Sequence, residues 1–170
     1  MMIKTERLIL RPLTIEDWPF MLNLLNQPDF IENIGDKNVK TEEQARAHVE
    51  QLMKTHQELG FSMLLITLKP EGHLEEKAGQ KVGVCGLLKR EFLPYPDLGY
   101  ALLPEHYRKG YTFEAAQGVL SHYDSFKNIM GITNEANTGS QNLLLKLGFK
   151  SIEPVKGPEE ELITAFELTR

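Results

Sequence analysis

The feature that most constrains this chain is a junction. The apolar run Asp97-Leu98-Gly99-Tyr100-Ala101-Leu102-Leu103 is cut by Pro104, passes through the basic turn Arg108-Lys109-Gly110, and enters a helical pattern carried by Ala115, Ala116, Val119, Leu120 and Tyr123. Two further runs of strand length, "FSMLLITL" and "KVGVCGLLKREF", precede it. The charged segment "KPEGHLEEKAGQ" between those two reads as a long hairpin loop, so three consecutive strands lead into the turn.

The rest of the chain continues the alternation. Residues 2–11 alternate apolar and polar through Ile3, Leu8 and Leu10, as a first strand does. Thr14 with Asp17 resembles a capping box, and Trp18, Met21, Leu22 and Leu25 then recur at helical spacing up to Asn26-Gln27-Pro28. "DFIENIGDKNVK" has little period and reads as a loop or broken helix; Thr41 with Gln44 starts a second helix that Gly60 closes. Beyond the junction helix come a short strand "IMGIT", a helix from Ser140 to Leu147 ended by Gly148, a turn back into a strand at Phe149, and a last strand "LITAFEL". The order βααβββαβαβ(β) predicts an α/β (α+β) fold, a mixed and mostly antiparallel sheet with helices on both faces, in a single domain over residues 1–170.

Composition narrows the functions. The 19 basic against 24 acidic residues give a net charge of −5, which argues against a general nucleic-acid-binding surface and confines any phosphate chemistry to a local site. No apolar run approaches the roughly 20 residues that span a bilayer, and charges at Lys4, Glu6, Arg7 and Arg11 interrupt any signal-peptide core, so a cytoplasmic protein without membrane contact is expected. Cys85 is the only cysteine, which excludes an intramolecular disulfide and fits a reducing compartment. His48, His56, His73, His106 and His122 lack metal-ligand spacing, and no metal is expected; His106 is read as solvent-exposed.

The junction itself reads as an anion-binding device or, from this segment alone, as an exposed charged turn. Free N–H groups and the positive end of the helix dipole favour a phosphate there, Gly110 permits close backbone approach, and Arg108 or Lys109 can add charged contacts. Neither G-x-x-x-x-G-K-[ST] nor G-x-G-x-x-G is present, so an ATPase or dinucleotide enzyme is not indicated.

"GYALLPEHYRKGYTFEA", followed by "NEANTGSQNLLLKLGF", resembles the GNAT superfamily of acetyl-coenzyme-A-dependent N-acetyltransferases. The opening "TERLILRPLTIEDW" and the "IGDKNVKT" loop are similar to its ribosomal-protein acetyltransferase (RimJ/RimL-like) branch, so the resemblance covers nearly the whole chain. It implies that the strand ending at Leu102-Leu103 splays from its neighbour and pairs with the pantetheine arm of acetyl-CoA. The turn Arg108, Lys109, Gly110, Tyr111 and Thr112 would hold the pyrophosphate, with Asn137 beside the pantetheine. Three positions depart from the family pattern: Tyr107 and Thr112 stand at the ends of the phosphate loop, and Leu144 stands where many members carry a tyrosine general acid.

The resemblance implies acetyl transfer to a primary amine, a protein N-terminus or a small molecule; a coenzyme-binding regulatory module without turnover is the alternative. The chemistry needs a base for the amine, stabilisation of an oxyanion and a donor toward the departing thiolate. Asp97 is the candidate base, through water, or else a strand-end turn carboxylate. Ser140 is the candidate donor, or else a helix cap. The backbone N–H of Leu103 or a neighbour would serve the oxyanion. Cys85 lies in a strand apolar on both faces and is read as a buried structural cysteine, which leaves direct attack by the amine. Phe30 and Trp18 are candidates to line the acceptor pocket, with the core reading preferred for Trp18, and Lys89-Arg90 either faces the acceptor or, the preferred reading, is a solvated strand end. The resemblance leaves the oligomeric state open between monomer and homodimer.

Overall fold

The computed structural model describes residues 1–70 and 79–170. Most of the expected hairpin loop between the second and third apolar runs, with His73, lies outside the described residues.

The sheet has eight strands. β1 (Ile3–Lys4) and β2 (Leu8–Pro12) are followed by helices α1 (Trp18–Leu25), α2 (Pro28–Asn33) and α3 (Glu42–Leu59). Then come β3 (Met63–Leu68), β4 (Lys81–Leu88) and β5 (Asp97–Leu102), α4 (Tyr111–His122), β6 (Asn128–Thr133), α5 (Thr138–Lys146), β7 (Lys150–Lys156) and β8 (Leu162–Thr169). The strand order is β1-β2-β3-β4-β5-β6-β8-β7, and every pairing is antiparallel except β5 with β6.

Two expectations are corrected here. The single first strand is a tight β1–β2 hairpin, in which Thr5 N–H donates to Leu8 C=O and the Thr5 hydroxyl accepts from Leu8 N–H; that turn breaks the alternation. The mixed stretch after Pro28 contains a short helix, so three helices follow the first strands, because Pro28 at the first helical position is compatible with a helix start. The other caps match the reading. Asp17 accepts from Thr14 N–H at 2.8 Å, Thr41 and Gln44 form a capping box, and Gly60 closes α3 at φ 79°.

Alternation in β3 builds two cores. Leu64 and Ile66 face one side and pack with Cys85, Leu87, Ala115, Val119 and Leu144, under α4 and α5. Leu65 faces the other and packs with Val84, Met21, Leu24, Ala45 and Val49, under α1 and α3. Each side chain so sealed contributes on the order of 1.5–3 kcal/mol. Both faces of the central strands are thereby covered, and the site forms where the sheet itself parts.

Candidate active site

β5 and β6 meet at one point. Asp97 pairs with Met130, and Met130 N–H donates to Pro96 C=O at 2.8 Å; beyond that bridge the strands have no further register. On its other edge β5 stays paired to β4 along its whole length. Leu103 N–H donates to Val82 C=O at 3.0 Å, and the alternation of an antiparallel pair then turns the backbone groups of Leu102 and Tyr100 away from β4, toward the gap. The amide facing the opening is therefore that of Leu102. Leu103, the first candidate for the oxyanion, has its N–H committed to the sheet and its side chain buried in the α1/α3 core.

The gap opens into a cleft of about 1360 Å³. Its walls include Phe30, Asp97, Tyr100, Leu102, Arg108, Gly110, Tyr111, Thr112, Asn137 and Ser140. Lys89 and Arg90 border it too, as do Lys37 and His48 from the α2–α3 side. Burial and the charge of Arg90 lower the pKa of Lys37, and burial and the charge of Lys37 lower that of His48. Trp18 is not brought to the cleft. It packs against the α1/α3 core with the Arg46 guanidinium 5.3 Å from its ring, because its helical neighbours fix that face inward. Lys109 contributes its carbonyl to the loop while its side chain stays exposed.

At the far end the chain makes a sharp turn into α4. Arg108 adopts φ 61° and Gly110, the N-cap, φ 78°, a left-handed pair that lets the loop fold back so that the first amides of the helix are presented at the cleft. Arg7, which sequence reasoning missed, braces this turn from behind. Its NH1 donates to Lys109 C=O at 2.8 Å, its Nε to Glu114 Oε2 at 2.7 Å, and its guanidinium lies 4.7 Å from the Tyr111 ring centroid. Thr5 and the Arg7 N–H both donate to Glu114 Oε1, at 2.6 and 2.7 Å. Burial favours the neutral acid at Glu114, but these hydrogen bonds and the Arg7 charge hold its pKa below the usual range. The only sequence signal was position, two charges in the turn of the first hairpin.

His106, expected in solvent, is buried beneath the turn, its ring 6.3 Å from that of Tyr111 and its Nε2 3.7 Å from Glu105. The 3-10 turn at Pro104–His106 directs it inward.

Asp97 is buried at the point where the strands part. Arg90 Nε lies 3.1 and 3.2 Å from its two carboxylate oxygens. Burial raises its pKa, and Arg90 opposes that rise without cancelling it. Ser140 lies in the first turn of α5, where Asn137 Oδ1 accepts its N–H at 3.1 Å. Asn137 is thus both the cap of α5 and a wall of the cleft. The Ser140 hydroxyl sits 2.6 Å from the hydroxyl of Tyr100, a β5 residue that sequence reasoning passed over. Leu144 is fully buried, and any side chain at Gly131 would collide with it, so that position is core. Cys85 is also fully buried, and burial pushes its thiol up to about 12. Among the described residues no group of three or more His, Cys, Asp or Glu side chains is placed to hold a metal ion, and no helix is long and apolar enough to cross a membrane.

The mixed, mostly antiparallel sheet with its flanking helices is consistent with the GNAT fold. The chain belongs to the GNAT acetyltransferase family: the model of the acetyltransferase (GNAT) domain matches residues 7–150. It is similar to YoaA of Bacillus subtilis, an uncharacterized N-acetyltransferase, at 26% identity over 151 residues, covering 87% of this chain and 82% of that one. Among solved structures it resembles the Salmonella typhimurium acetyltransferase that modifies the N-terminal serine of ribosomal protein L7/L12, with a TM-score of 0.80 and 18% identity over 100% of this chain and 99% of that one. The microcin C7 self-immunity acetyltransferase MccE, solved with acetyl-CoA and AMP, has a TM-score of 0.79 and 18% identity over 97% and 93%. The chain is accordingly an N-acetyltransferase of the GNAT family.

Proposed function

We propose that this protein moves an acetyl group from acetyl-CoA to a primary amine by direct attack, with a protein N-terminus as the acceptor. The observation that carries the reading is the parting of β5 from β6 after the Asp97–Met130 bridge, beside the N-terminus of α4. The outward groups of Tyr100 and Leu102 suit the amides of a pantetheine arm, and the braced turn Arg108–Thr112 suits a pyrophosphate. Asp97 takes the amine proton through water; its raised pKa brings it closer to the value of about 8 for an α-amino group, which eases that transfer. The N–H of Leu102 supports the oxyanion, and the Ser140 hydroxyl faces the departing sulfur. Cys85, buried with its thiol protonated, takes no part.

The likeness to the L7/L12 enzyme supports a protein N-terminus. A small-molecule amine is the second reading, favoured by the equal likeness to MccE. An acceptor screen separates them: thiol release from acetyl-CoA is followed with unblocked peptides of varied first residue and with small amines. Peptide turnover that stops when the N-terminus is blocked supports the first reading; turnover with small amines alone replaces it with the second.

A further inference from the structure

Leu144 is core, yet a phenol reaches Ser140 of α5 from the strand. Tyr100 lies in the middle of β5, its ring packs against the α4 core, and its hydroxyl lines the cleft 2.6 Å from Ser140 Oγ and 3.4 Å from Ser140 C=O. The two hydroxyls share the short hydrogen bond, and the Ser140 carbonyl is a second, longer contact of the phenol. A phenol is a far stronger acid than an alcohol, so the stronger hydrogen bond has Tyr100 donating and the Ser140 oxygen accepting. The Ser140 amide is already held by Asn137, which fixes the residue from its other side.

We propose that Tyr100 is a positioning residue for acetyl transfer: by donating to Ser140 Oγ it turns the Ser140 O–H outward and makes it a better donor to the sulfur that leaves. The inference rests on the cleft being the site of acetyl-CoA turnover. In the step, the amine nitrogen forms a bond to the acetyl carbon, the carbon–sulfur bond breaks, and its electron pair stays on sulfur. The amine proton goes to Asp97, and the thiolate departs hydrogen-bonded to Ser140 and is protonated later from water. Burial pushes Tyr100 up to about 12, well above a free thiol near 8.5, so the phenol keeps its proton and acts by orientation and polarisation.

The test is single-turnover kinetics of Tyr100→Phe, Ser140→Ala and the double variant with acetyl thioesters whose leaving thiols differ in acidity. Tyr100→Phe, which keeps the ring and its packing, is expected to slow acetyl transfer by about 5- to 20-fold with thioester affinity changed less than about threefold. The rate should depend more steeply on leaving-thiol pKa in both single variants, and the double variant should be no slower than Ser140→Ala alone. Ser140→Thr, which keeps the hydroxyl, should retain the wild-type slope. A wild-type rate in Tyr100→Phe, an unchanged slope, or fully additive losses would overturn the proposal. If wild type itself transfers to no amine while binding acetyl-CoA, the functional reading fails first and takes this inference with it.

Discussion

The Asp97 carboxylate is buried where the sheet parts, with Arg90 as its cationic partner at 3.1 Å. Burial raises its pKa and Arg90 restrains the rise, so on the proposed role of Asp97 the pair sets the pH at which that base becomes available. Removing the guanidinium should let the carboxyl rise further. A base must be deprotonated to act, so Arg90→Gln should move the acid limb of the pH–rate profile to higher pH. Asp97→Asn should lose activity near neutrality and regain part of it as rising pH deprotonates the acceptor by itself. Profiles with one confirmed acceptor check both, and coincident limbs in wild type and Asp97→Asn would reject Asp97 as base. Cys85→Ala should behave differently: a small buried void costs about 1 kcal/mol, seen as a lower Tm, while turnover persists. An acetylated Cys85 formed fast enough to be an intermediate would contradict direct transfer.

At the scale of elements, two polar clasps tie the sheet to its helices. One joins the β1–β2 turn to α4 through Thr5, Arg7 and Glu114. Arg7→Ala releases the Lys109 carbonyl and uncovers the Glu114 charge beside the anion site. Acetyl-CoA affinity should fall by about 3- to 10-fold with little change in kcat, measured by calorimetry and by steady-state kinetics. The other clasp is Asp17, buried at the start of α1, which accepts from Arg11 at 2.9 and 3.0 Å and from Lys81 on β4 at 2.8 Å. Burial by itself would raise its pKa, but the hydrogen bonds from Arg11, Lys81 and the Thr14 N–H hold it well below the usual carboxylate range. A folded-state pKa below the unfolded value of about 3.9 means the stabilisation is whole above that pH and is lost as pH falls through the folded value. Both cations are partly exposed, which screens the pair, so Asp17→Asn should cost about 2 kcal/mol at neutral pH and flatten the acid side of the stability curve. Denaturant unfolding from pH 3 to 7 tests this; equal acid-side slopes in wild type and variant would contradict it.

At the scale of the whole molecule, what was legible in the sequence was what local chemistry dictates. Thr41 with Gln44, and Gly60, marked the ends of α3 because caps are short-range, and the Gly110 turn announced a helix N-terminus for the same reason. The first hairpin was missed because its turn spans only residues 5–7 and holds no glycine or proline to mark it. The functional partners that escaped were all distant in the chain: Arg7 and Glu114 are 107 positions apart, and Tyr100 and Ser140 are 40 apart. His106 was misread for a related reason, since burial beneath a turn depends on what packs over it. Trp18 was legible as core from its apolar helical neighbours, and its helix face agrees with that reading over the acceptor contact.

The central claim is that acetyl-CoA binds in the opening between β5 and β6 with its pyrophosphate at the N-terminus of α4. Gly110 is the residue on which this turns: it holds φ 78°, a conformation that L side chains rarely adopt, and a Cβ there would come 3.3 Å from the Arg7 guanidinium that braces the turn. Titration calorimetry of acetyl-CoA into wild type and Gly110→Asp is the most direct measurement, with thermal unfolding to show that the variant is folded. An introduced carboxylate repels the pyrophosphate and strains the turn, so the affinity should fall by at least about tenfold. An unchanged Kd in a folded Gly110→Asp protein would contradict the claim.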